Sequence, residues 1–205
     1  MSMPATDAAI EWGWAGSALE SESGDLHVVV PFAGGALVAL IDGLGHGPEA
    51  AAAAVAAVAI LEANARETVL ALMRRCHEGL RRTRGAAMSV ASFNSVDASM
   101  SWTGVGNVEA ALLRADLAPA GHPDEAIVPR GGVVGYRLPG LHANTLPVWP
   151  GDTLVMATDG IRSGFTTGLA IAHEPQQVAE SILARFAKGS DDAHVVVARY
   201  RGGGR

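Results

Sequence analysis

The sequence predicts an α+β fold with antiparallel sheets, because strand-like and helix-like patterns come in blocks and do not alternate strictly. Two apolar segments, residues 26–32 and 36–41, flank Ala33-Gly34-Gly35 and read as a hairpin. Two helical segments follow back to back, and from residue 86 to 114 the pattern returns to strands separated by turn chemistry.

Each element has its own warrant. Residues 36–41 run into Asp42-Gly43-Leu44-Gly45-His46-Gly47, and Pro48 then suits the first position of a helix, with Glu49 favourable in its first turn. That helix is nearly all alanine, valine and leucine, so it is expected to be buried on most faces or to pack very closely. In the next helix, over residues 67–83, Val69, Leu72, Met73, Cys76 and Leu80 share one face at helical spacing. Arg74, Arg75, Arg81 and Arg82 lie elsewhere and read as a solvated face. Ala98, Met100 and Trp102 alternate with Ser99, Ser101 and Thr103, the period of a half-buried strand. With turns at 94–97 and 104–107, residues 86–114 are expected to form an antiparallel meander. A loop rich in Pro, Gly and Asp over 115–125 comes next, then short strands ending at 153–158. A helix over 174–188 and a strand over 194–200 precede a glycine-rich end at 202–204.

Composition narrows the function classes. The chain has 205 residues, 49% hydrophobic and 18% charged, enough for one domain, with its core about 9–201, and a sizeable buried interior. A net charge of -6 argues against nucleic acid as the main partner, since phosphate backbones need clustered cations. Cys76 is the sole cysteine, so no intrachain disulfide exists and a reducing, cytoplasmic setting is expected. The first 13 residues lack a basic start and an apolar stretch, and the longest apolar run, 50–61, is shorter than the roughly 20 residues that span a bilayer. No membrane partner is expected, and the protein reads as a monomer.

Four acidic spots sit beside glycine or at the mouth of a strand: Ser23-Gly24-Asp25, Asp42-Gly43, Thr158-Asp159-Gly160 and Asp191-Asp192. An Asp-Gly pair alone is most often a turn. Asp42 and Asp159, however, each follow an apolar strand and precede glycine, which places a carboxylate at a strand end and leaves the next carbonyl uncovered. Hard cations such as Mg²⁺ and Mn²⁺ take oxygen ligands of this kind. The seven histidines are scattered, with no pair at i, i+4 that would favour zinc. Cys76 and the four tryptophans read as packing residues.

In order and spacing, Asp42-Gly43-Leu44-Gly45-His46-Gly47, Thr158-Asp159-Gly160 and Asp191-Asp192 resemble the metal-dependent PPM/PP2C-type phosphatases of the bacterial SpoIIE-like branch. Within it, Gly104-Val105-Gly106-Asn107-Val108-Glu109 and residues 131–141 are similar to stressosome phosphatases of the RsbX type. The resemblance covers residues 24–200. It implies a four-layer α/β/β/α sandwich of two antiparallel sheets flanked by helices, and a protein-serine/threonine phosphatase using two Mn²⁺ or Mg²⁺ ions, with a third allowed. It implies that Asp42 bridges the two ions and the Gly43 carbonyl binds one of them. Asp159 and Asp191 would complete the coordination of the first ion, and Asp25 would bind the second ion. A hydroxide held between the metals would attack phosphorus. The implied substrates are phosphorylated STAS-domain proteins of a stressosome-like complex in stress signalling.

Two departures stand out. Leu44 occupies the place of the histidine that protonates the leaving group in eukaryotic members, and His46, within Gly-His-Gly, reads as a loop-shaping residue. His194 stands where many relatives have threonine and reads as a strand-entry residue. Adjacent side chains in an extended segment point to opposite sides; together with the family pattern this favours Asp191 as ligand and Asp192 as a capping or supporting residue. Two other readings stay open at this point: a catalytically weak pseudo-phosphatase acting as a binding module, and a hydrolase of small phosphate esters.

Overall fold

The computed structural model describes residues 9–19, 22–115 and 122–202. The loop expected over 115–125, the glycine-rich end and the first 13 residues thus lie partly outside the described residues. In chain order the elements are β1 (Ile10–Ser17), β2 (Asp25–Phe32), β3 (Gly35–Gly43), α1 (Pro48–Ala63), α2 (Val69–Gly79), β4 (Ala86–Asn94), β5 (Ser99–Val105), β6 (Glu109–Leu113), β7 (Glu125–Ile127), β8 (Asn144–Pro147), β9 (Thr153–Ala157), α3 (Pro175–Phe186) and β10 (Ala193–Tyr200). One sheet runs β2-β3-β4-β5-β8, the other β1-β10-β9-β6-β7, and the strand pairs within them are antiparallel.

The pleat explains the layers. In β3, Ala36, Val38 and Leu40 face the second sheet, where they meet Leu154, Met156, Val196 and Ala198. The alternate residues Leu37, Ala39 and Ile41 face α1 and α2, against Leu61, Leu72 and Met73. On the far side, Val155, Val195 and Val197 pack on Val178, Ala179 and Ile182 of α3. The result is helix, sheet, sheet, helix. Both faces of β3 are covered, which is why residues 36–41 read as one unbroken apolar run. Each of its large side chains contributes about 2 kcal/mol by burial.

Two expectations are corrected, and of the two readings of the first helix the close-packing one holds. α1 buries one stripe, Ala50, Ala53, Ala54, Ala57 and Leu61, while Val55 is 58% exposed. Its alanines serve close approach: a side chain on Gly43 would begin 2.2 Å from the Ala50 carbonyl oxygen. α2 ends at Gly79, and the expected last turn of that helix is irregular. The meander over 86–114 stops after β5, because β6 pairs with β7 and β9 in the other sheet. Gly106, at φ 100°, makes the crossing, and a side chain there would strike Ala87. β1 went unread in the sequence; it pairs with β10 along its length. Among the described residues, no helix is long and apolar enough to cross a membrane.

Candidate functional site

The β2–β3 hairpin places Asp25 directly opposite Asp42. Side chains so paired share a face about 5 Å apart, and like charges there are destabilising. Both project toward the second sheet at the end of the inter-sheet core. Asp25 is buried and accepts a 2.7 Å hydrogen bond from the Thr158 hydroxyl, which itself accepts from the His194 N–H at 2.9 Å.

The second sheet supplies the other half. Asp159 follows β9, and Asp191 precedes β10, the neighbouring strand. Their loops touch backbone to backbone, since a side chain on Gly160 would begin 1.8 Å from the Asp192 carbonyl oxygen. The Lys188 N–H donates to the Gly160 carbonyl and the Thr158 N–H to the His194 carbonyl, so the two loops are stitched together. Only glycine fits at 160.

Asp192 has a different task from Asp191. It is buried, and its carboxylate accepts from the Leu19 N–H at 2.7 Å and the Gly24 N–H at 2.8 Å. The Gly43 N–H donates to the Gly24 carbonyl, but the Gly24 N–H, which would answer it, turns to Asp192. The ladder therefore closes in one direction, and the Gly43 carbonyl is left out of it. Asp191 is exposed and accepts from the Asp192 N–H at 2.9 Å.

The electrostatics are strained. Burial, then the Asp42 charge, pushes Asp25 up to about 8 against the opposing Thr158 hydrogen bond. Burial, then Asp159, pushes Asp42 up to about 7, with Asp191 and Asp192 adding to it and a hydrogen bond from Asn107 opposing. Asn107 donates to Asp159 Oδ2 at 2.6 Å, so its side chain lies between that carboxylate and Asp42. Among the described residues no three acidic, histidine or cysteine side chains form a closed metal cage: Asp159 turns to Asn107, and Asp191 to the Asp192 N–H. Still, Asp25, Asp42, Asp159 and Asp191 share one electrostatic neighbourhood made only of oxygen donors, which fits a hard divalent cation.

Sequence reasoning missed Asn107 as a site residue, although its turn was noted; only the sheet crossing brings it to the carboxylates. His194 is the second residue of β10, in line with its reading as a strand-entry residue. This residue lies buried beneath the site, 2.9 Å from His27, and stacks on Trp14 at 5.1 Å. Burial, helped by His27, pushes it down to about 3, so it stays a neutral floor residue. Trp12 and Trp14 pack on the two histidines, in line with their reading as packing residues. His46 is exposed between Gly45 and Gly47, both at positive φ, at the lip of the cluster.

The family model of Stage II sporulation protein E (SpoIIE) matches residues 33–201. A search of curated proteins finds no match. A structure described in the context of the bacterial stressosome, a modular system adapted to control secondary messenger signalling, is similar at 29% identity. Its TM-score is 0.83 over 93% of this chain and 99% of that one. RsbX in complex with magnesium gives TM-score 0.81 at 20% identity, over 93% and 95%. The catalytic domain of the serine/threonine phosphatase PstP with two manganese ions gives 0.68 at 15%, over 94% and 98%.

Proposed function

Because the chain belongs to the SpoIIE family of PP2C-type, metal-dependent phosphatases, we propose that its acidic cluster hydrolyses phosphoserine or phosphothreonine on a partner protein. Asp25, Asp42, the Gly43 carbonyl, Asp159 and Asp191 would hold two divalent cations, Mn²⁺ or Mg²⁺. The observation that carries this reading is the direct cross-strand pairing of Asp25 with Asp42, two carboxyls that burial and neighbouring charge push upward and whose juxtaposition costs stability. Bound cations supply Lewis acidity, activate water and neutralise phosphoryl charge.

The chain's own residues prepare the site. Thr158 aims the Asp25 carboxylate, Asn107 holds Asp42 and Asp159 in register, and Asp192 keeps the Gly24 N–H away from the Gly43 carbonyl. Asp159 and Asp191 are exposed, so the cluster opens outward and suits a residue presented on a protein surface. Similarity to the stressosome-context protein and to RsbX supports phosphorylated STAS-domain proteins of a stressosome-like assembly as substrates. The buried, unpaired thiol of Cys76 accords with a cytoplasmic setting.

Hydrolysis of a phosphoserine peptide should require Mn²⁺ or Mg²⁺ and vanish in excess EDTA. Turnover unchanged by the chelator would remove the reading. The two adjacent aspartates should separate in a second experiment. Asp191→Asn is expected to raise the Mn²⁺ concentration needed for half-maximal turnover by about tenfold or more. Asp192→Asn replaces one charge-assisted acceptor by an amide, so its main effect should be a stability loss of about 1.5–3 kcal/mol. A dead Asp192→Asn enzyme of normal stability, beside an active Asp191→Asn, would reverse the two roles.

A further inference from the structure

Positive charge is distributed unevenly over this acidic protein. Residues 64–84 and 126–142 hold eight of the fifteen basic residues, all arginine, against Glu67 and Glu78 alone. The structure brings these segments together. Ala86 and Val134 exchange both backbone hydrogen bonds, the Gly135 N–H donates to His77 Nδ1, and a side chain on Gly135 would strike Leu80.

The joined segments border the acidic cluster on one side. The Leu44 N–H donates to the Gly85 carbonyl, and a side chain on Gly45 would begin 2.7 Å from Arg84 Nη1. The Gly106 N–H, next to Asn107, donates to the Arg130 carbonyl. Arg75, Arg81 and Arg84 are tied to Glu67, Glu78 and Glu49. Arg82, Arg130 and Arg137 are exposed, and their guanidinium groups have no ion-pair or hydrogen-bond partner among the described residues. Beside them Tyr136 is 85% exposed.

We infer that this arginine surface, with Tyr136 at its crest, docks an acidic segment of the phosphoprotein next to the residue being dephosphorylated. The inference rests on the reading of the site as a protein phosphatase. Charge complementarity selects the occupant: guanidinium groups bind carboxylates in bidentate fashion, and an exposed aromatic ring is a typical interface anchor. The carboxylates of the site repel an acidic chain, and the exposed arginines beside them offer it a seat of opposite charge. The surface supplies the long-range attraction that the site lacks, and its contribution should fade as salt rises.

The test compares two phosphoserine peptides, one flanked by glutamates and one by glutamines, with Mn²⁺ at low salt. The acidic peptide should be preferred by about tenfold in kcat/KM, through KM. The triple variant Arg82→Gln, Arg130→Gln, Arg137→Gln should lose that preference and keep wild-type turnover of p-nitrophenyl phosphate. Equal kcat/KM for both peptides, or a preference unchanged in the variant, overturns the inference. Fluorescence anisotropy of the unphosphorylated acidic peptide measures docking without catalysis. Selective binding lost in the triple variant supports the surface even if no phosphoester is hydrolysed, an outcome that would instead sink the phosphatase reading. Tighter binding of a short single-stranded DNA or of phosphatidylserine vesicles than of the acidic peptide would assign the surface to another partner and overturn the proposal.

Discussion

Asp42→Asn is expected to lower Mn²⁺-dependent turnover by about a thousandfold or more, because several kcal/mol of transition-state stabilisation depend on cations that this carboxylate would help hold. The same change should stabilise the metal-free protein. Between the unfolded value of 3.8 and the folded value of about 7, the unfolded chain has released the Asp42 proton while the folded chain still binds it. Folding then takes up a proton, so stability falls as pH rises through that window. Asp25, raised from 3.8 to about 8, acts in the same direction. Metal-free wild type should therefore melt lower at pH 8 than at pH 5, and Asp42→Asn should remove part of that slope. Thermal unfolding in EDTA across this range measures it. A variant with wild-type turnover, or an unchanged pH slope, would reduce Asp42 to a turn residue.

Gly160→Ala should have the second-largest effect, although residue 160 carries no chemistry. Its added carbon would lie 1.8 Å from the Asp192 carbonyl oxygen and 2.9 Å from the Ala193 Cα, both backbone atoms that cannot swing aside. The two loops must part, which is expected to cost about 3 kcal/mol and to lower the melting temperature by about 6–12 °C. A displacement near 1 Å of Asp159 relative to Asp191 should cost about a hundredfold in turnover. Gly131→Ala is the control, since a side chain there meets nothing within 4 Å. Normal melting and turnover for Gly160→Ala would show that the contact between the loops is dispensable.

The legibility of this site depended on how far each residue sits from its partners along the chain. Asp42 and Asp159 were readable because apolar strands end on them, a local pattern. The α+β class with antiparallel sheets followed from block order, and the four-layer sandwich from the resemblance. The opposition of Asp25 and Asp42 was not readable, because register depends on turn length. Ala33-Gly34-Gly35 left that length open, whereas the structure pairs Phe32 with Gly35 across a two-residue turn. Asn107 was hidden for a stronger reason. Gly104 to Asn107 carry ordinary turn chemistry, and nothing local distinguishes a hairpin from a crossing between sheets. β1 is hard to read although Ile10, Trp12 and Trp14 alternate with smaller or charged residues, because its pairing partner β10 lies at the far end of the chain.

The pairing of β1 with β10 also bears on synthesis. A nascent chain that has emerged as far as β8 already contains Asp25, Asp42 and Asn107, and the strands of one sheet are complete. The other sheet must wait for β9 and β10, and the earliest described strand stays unpaired until the latest arrives. Pairings this distant in sequence form slowly. Asp159 and Asp191 are therefore the last of the four carboxylates to reach the cluster, and the acidic neighbourhood is complete only once β9 and β10 have joined their sheet.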